Sequence, residues 1–121
     1  MRLYRGLKEP YRPEKVIRNH GQLTGTDFTD CPYTALQYAQ GQRAVVLVLD
    51  VPAETRRVTE ELWLGVSARR FMVWGKFDDM VVAMLPAKEL RARVRVKGVV
   101  AASDEFKARV LSRAVEELLG R

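Results

Sequence analysis

Cysteine and histidine are nearly absent from this chain, with one of each, Cys31 and His20, among 121 residues. A lone cysteine excludes an internal disulfide framework and fits a reducing compartment, so a cytoplasmic protein is expected. One Cys and one His cannot furnish a Cys/His zinc site, so no metal is expected. No apolar run approaches the ~20 residues that span a bilayer, and no membrane partner is expected. The opening residues combine charge with a strand-like pattern, which predicts no secretory leader. No internal repeat, linker or low-complexity segment interrupts the sequence, and its length predicts a single domain, residues 1–121.

Hydrophobic residues make up 47% and charged residues 30%, the balance of a globular protein rather than a disordered one. The formal net charge of +6 is unevenly placed. Six basic and two acidic residues lie in 1–20, six and eight in 21–86, nine and five in 87–121, so the ends are +4 each and the middle is −2. A basic surface attracts phosphates, in a dinucleotide, a nucleic acid or an acidic protein, and charge alone does not choose among them.

The stretch Leu23–Asp50 organises the rest. Thr24–Phe28 is extended, Asp30 is the expected N-cap, and Pro32 suits a first helical turn because its missing N–H costs nothing there. Ala35, Leu36 and Ala39 form an apolar helical stripe that Gly41 ends, and Ala44–Leu49 reads as a strand covered on both faces. Arg2–Leu7 is a first strand with Leu3 and Arg5 on one face and Tyr4 on the other. Glu9–Pro13 is a loop, and Glu14–Asn19 a short helical turn. The region 53–75 is ambiguous between helix, strand and loop. Its two tryptophans, Trp63 and Trp74, are expected in the core. Met80–Leu85 is a strand stopped by Pro86. Leu90–Val96 alternates strictly between apolar residues and arginines and predicts a half-buried antiparallel strand. Ser103 caps a closing helix with Phe106, Val110, Leu111, Ala114, Leu118 and Leu119 on its apolar face.

Two patches, LYRGL at Leu3–Leu7 and GTDFTDCPYTALQYA at Gly25–Ala39, resemble the ADP-ribosyltransferase superfamily. The resemblance covers about a third of the chain. It implies an α+β fold with a mostly antiparallel sheet split in two halves, plus the C-terminal helix, and NAD as substrate. By the same resemblance Arg5 meets dinucleotide phosphate or ribose oxygens, as guanidinium geometry allows. Tyr38 supports the nicotinamide, with Tyr33 a second aromatic candidate, and Thr29 holds Arg5 or a ribose oxygen. Asp79, or Asp78, stands where the superfamily has a glutamate that stabilises the oxocarbenium centre. Two departures accompany these matches: Asp27 replaces a tyrosine of one branch, and aspartate replaces glutamate near Asp79.

Each of these residues also has a bland reading. Arg5 can pair with Asp27 or Asp50, the tyrosines can simply pack, and Asp78-Asp79 can be an acidic turn. Arg91, Arg93, Arg95 and Lys97 form a basic row that could track phosphates of a nucleic acid or serve as the solvated face of a strand. Two functions therefore compete. One is NAD-dependent ADP-ribosyl transfer to a macromolecule, or NAD hydrolysis. The other is a non-enzymatic binding protein that keeps the fold and uses basic surfaces to bind nucleic acid or a large protein assembly.

Overall fold

Strand β1 (Arg2–Leu7) lies near the middle of a six-stranded sheet in the order β4-β5-β2-β1-β3-β6. This computed structural model describes residues 1–9, 22–60 and 69–120, with the side chains of 22–27, 57, 59 and 60 outside the description. The other strands are β2 (Gln22–Thr29), β3 (Val45–Asp50), β4 (Arg56–Glu60), β5 (Arg70–Lys76) and β6 (Val81–Pro86). Every pairing is antiparallel. Strands β1, β3 and β6 are adjacent, and the fold is α+β, as expected.

The sheet divides beside β1. On one side β1 pairs with β3 along its length, from Arg2↔Asp50 to Leu7↔Val45. On the other it meets β2 at the single register pair Tyr4↔Thr29. Beyond that pair the strands part, leaving a cleft between Arg5-Gly6 and Phe28.

Alternation along the strands builds two cores, one on each side of β1–β3. Tyr4, Val46, Val48 and Leu85 face three helices: α1 (Pro32–Tyr38), α3 (Ala87–Val94) and α4 (Asp104–Leu119). Leu3, Leu7, Leu47 and Leu49 face Phe28, Phe71 and Val73 of the other half-sheet, with Phe77 and Met80 from the one-turn helix α2 (Phe77–Met80). Val46 to Leu49 are wholly buried, which explains a run with no polar alternation.

Several local readings need correction. The segment containing Arg91 and Arg93 is helix, not strand, and Arg95 is the residue that ends it. Ala87, Leu90 and Val94, spaced three and four apart, carry its buried stripe. Positions 90 and 94 satisfy both a period of two and a helical period, so alternation alone misleads. The helix formers of AKELRARV decide the matter, and Val96, which a strand would bury, is half exposed. The N-cap of α1 is Cys31 rather than Asp30. Asp30 instead accepts from the Arg69 backbone N–H at 2.7 Å and pairs with its guanidinium at 3.1 Å. That exchange follows from the β2–β5 register, which sets Thr29 opposite Arg70. Trp74 lies on the outer face of β5 and is 41% exposed, because Phe71 and Val73 take the inward positions.

The closing helix forms as expected, with Ser103 Oγ accepting from the Phe106 N–H at 3.2 Å. Its buried stripe is Leu111, Ala114 and Val115, while Phe106 is exposed. Readings that fall on 10–21 and 61–68, including the turn at Glu14–Asn19 and the burial of Trp63, lie outside the described residues.

Candidate functional site

The cleft between β1 and β2 is a hollow of about 200 Å³. Tyr4, Arg5 and Gly6 of β1 form one wall, and Phe28 and Thr29 of β2 the other. Ala35 and Tyr38 of α1 close one end, and Arg70 enters from β5.

Each wall residue is held by the fold. The Arg5 guanidinium lies 6.0 Å from the Phe28 ring centroid, a cation–π distance that keeps it over the cleft. Thr29 is 2% exposed, and its Oγ1 accepts from the Cys31 N–H at 3.2 Å, fixing the turn from β2 into α1. An accepting hydroxyl keeps its own hydrogen as a donor. Tyr38 ends α1 with 44% of its surface exposed. Gly6 permits this assembly: a Cβ at that position would stand 1.9 Å from the Ala35 carbonyl oxygen. Helix α1 therefore rests directly on the β1 backbone, which brings Tyr38 to the cleft that Arg5 lines.

The structure thus gathers Arg5, Thr29 and Tyr38 into one hollow and adds Arg70, which the sequence did not single out. Arg70 heads β5 and stands opposite Thr29 in the β2–β5 register, a relation that no local spacing announces. Tyr33 is not in the cleft. It lies five residues before Tyr38, about 140° around the helix, and turns to a separate hollow.

Asp78 and Asp79 are exposed in α2, beyond the far end of β5. Arg70 in the cleft and Lys76 before α2 are separated by the whole of β5, roughly 20 Å of extended chain. No carboxylate lines the cleft among the described residues. Asp50 pairs with Arg2 at 3.2 Å. Of the row expected to be continuous, Arg93 is joined to Glu117 at 2.7 Å and Lys97 is an exposed turn residue. No group of His, Cys, Asp and Glu among the described residues could hold a metal ion, and no described helix is long and apolar enough to cross a membrane.

Tyr4 carries a clear titration signature. Burial, reinforced by the Glu116 carboxylate, pushes its hydroxyl up to about 12 from an ordinary value of 10.0. The folded state then holds this proton more tightly than the unfolded chain does. Stability on this account is full below pH 10 and is lost as pH rises towards 12, by an order of 2 kcal/mol. Replacing Tyr4 by Phe is expected to flatten that alkaline loss in urea melts taken across this window. An undiminished slope in the variant would assign the loss to other groups.

No protein-family model, curated protein or solved structure matches this chain. The functional reading rests on the cleft and on the residues that build it.

Proposed function

We propose that the β1–β2 cleft binds a dinucleotide of the NAD type, and that the chain is an ADP-ribosyltransferase-like domain that holds this ligand without cleaving it. The observation that carries the reading is the convergence of Arg5 and Arg70 with Tyr38 in one hollow. Two guanidinium groups suit pyrophosphate oxygens, the Thr29 hydroxyl suits a ribose or phosphate oxygen, and the phenol ring offers a flat face to a pyridinium. The hollow is smaller than the ~300–1,000 Å³ of ordinary ligand pockets, so it encloses one part of a dinucleotide and leaves the rest outside. The residues therefore fit the nicotinamide–ribose–phosphate part of the molecule.

The resemblance of LYRGL and GTDFTDCPYTALQYA to ADP-ribosyltransferases agrees with this assignment for Arg5, Tyr38 and Thr29. Transfer would also need a carboxylate beside the ribose, to oppose the positive charge that develops as nicotinamide leaves. Asp79 and Asp78 stand a strand's length away, and β5 offers the cleft a cation, Arg70. Binding without glycosidic cleavage is the function that this geometry supports.

Titrating NAD into the protein and then assaying free nicotinamide tests both halves. Saturable binding with release no faster than in buffer is the expected outcome. Nicotinamide release that depends on Asp79 would restore the transferase reading. Absence of binding at millimolar NAD would sink the assignment altogether.

A further inference from the structure

Helix α1 has a basic hollow on its other side as well. Tyr33, Gln37 and Gln40 form one wall of a cavity of about 360 Å³, facing Arg91 and Arg95 of the α3 end and Lys107 of α4. Leu36 and Val94 contribute apolar surface beside them. The three cations come from two helices, and no carboxylate joins them among the described lining residues. Like charges gathered in a hollow repel unless an anion enters.

The fold fixes two of these cations. Arg91 donates to the Leu36 carbonyl at 3.3 Å and to the Ala39 carbonyl, both at the C-terminal end of α1. Those contacts hold the guanidinium at the hollow, the Leu36 carbonyl also accepting from the Ala39 N–H. The Lys107 ammonium lies 5.8 Å from the Tyr33 ring centroid. Arg93 points elsewhere, to Glu117, while Arg91 of α3 and Arg95, the residue that ends α3, line the hollow.

We propose that this hollow is a phosphate-binding site, receiving a phosphomonoester or phosphodiester group on Arg91, Arg95 and Lys107. The Tyr33 hydroxyl and the Gln40 amide supply neutral donors around it, and the Gln37 amide, which gives one N–H to the Tyr33 carbonyl, keeps a second. The site does not depend on the β1–β2 cleft. It regroups part of the basic row read from the sequence and adds Lys107, which a contiguous motif cannot include.

The test uses the full chain and two probes, inorganic pyrophosphate and a fluorescent short single-stranded oligonucleotide, with binding followed between about 50 and 200 mM salt. The double variant Arg95→Gln/Lys107→Gln leaves the Arg91 anchor on α1 in place. It is expected to bind the oligonucleotide at least tenfold more weakly, with a log–log salt slope shallower by about 1.4 for two lost contacts to a single strand. Competition by pyrophosphate would mean that an isolated phosphate group suffices. Oligonucleotide binding without such competition would assign the site to the repeated phosphates of a polymer. Arg93→Gln should change neither quantity, because the Arg93 side chain is held by Glu117 outside the hollow. The proposal is overturned if neither probe binds at low salt. It is equally overturned if the double variant, folded by circular dichroism, keeps the wild-type affinity and slope, or if Arg93→Gln weakens binding as much.

Discussion

Replacing Gly6 by Ala is expected to destabilise the protein by roughly 3 kcal/mol or more, above the ordinary range for overpacking. The added Cβ would lie 1.9 Å from the Ala35 carbonyl oxygen and 2.8 Å from the Ala39 nitrogen. Both obstacles are backbone atoms of α1 and its cap, so no side-chain rotation relieves them. Either α1 lifts from β1 or β1 shifts from β3, and each movement opens the core that Tyr4, Ala35, Val46 and Leu111 share. For a domain of this size the melting temperature should fall by about 10 °C or more. Gly120→Ala is the matched control, because Gly120 has helical backbone angles and an added Cβ would be in ordinary contact with the Glu116 carbonyl oxygen at 3.4 Å. Because α1 also carries Tyr38, whatever Gly6→Ala protein remains folded should bind NAD more weakly than wild type. A melting temperature unchanged by Gly6→Ala would contradict the close seating of α1 on β1, and with it the geometry of the cleft.

Arg5→Gln and Arg70→Gln should each weaken NAD binding by about tenfold to a hundredfold. That range follows from the ~1.5–3 kcal/mol carried by a hydrogen bond to a charged group. Glutamine keeps polarity and part of the side-chain reach but removes the charge and the forked donor arrangement. The two effects should not add, since both residues are assigned to the same end of one ligand. Affinity for NAD should also fall with added salt in wild type, and less steeply in either variant. Calorimetric titration alongside a thermal melt separates lost binding from lost folding. Arg93→Gln, whose partner Glu117 lies outside the cleft, serves as the neutral comparison. Equal affinities for Arg5→Gln and wild type would leave β1 with a purely structural arginine.

Much of this architecture is legible in the residues. The uninterrupted aliphatic run of β3, the alternation in β1 and the Ser103 cap each report a local requirement that the tertiary structure does not override. The arginine row failed because Leu90 and Val94 are compatible with two periods, and packing against α4 chose the helical one. Asp30 failed as a cap because Arg69, thirty-nine residues away, competes for its carboxylate. Such a partner has no local signature.

The site was legible in the same partial way. Arg5, Thr29 and Tyr38 come from the two short patches and line one hollow. Arg70 reaches them through a strand register, and Lys107 reaches Tyr33 through helix packing. Neither relation has a spacing that a sequence displays. Asp79 was chosen for standing just before a late strand, and strand order explains why that position is remote. Helix α2 follows the end of β5 that pairs with Gln22, opposite the end that pairs with Thr29.

Chemical-shift mapping of NAD on the isotopically labelled protein tests the central claim most directly. The account predicts saturable shifts at the amides of Gly6, Phe28, Thr29, Tyr38 and Arg70, which surround the β1–β2 cleft, and little change at Asp78 and Asp79. Shifts confined to α2, or no shifts at millimolar NAD, would contradict it.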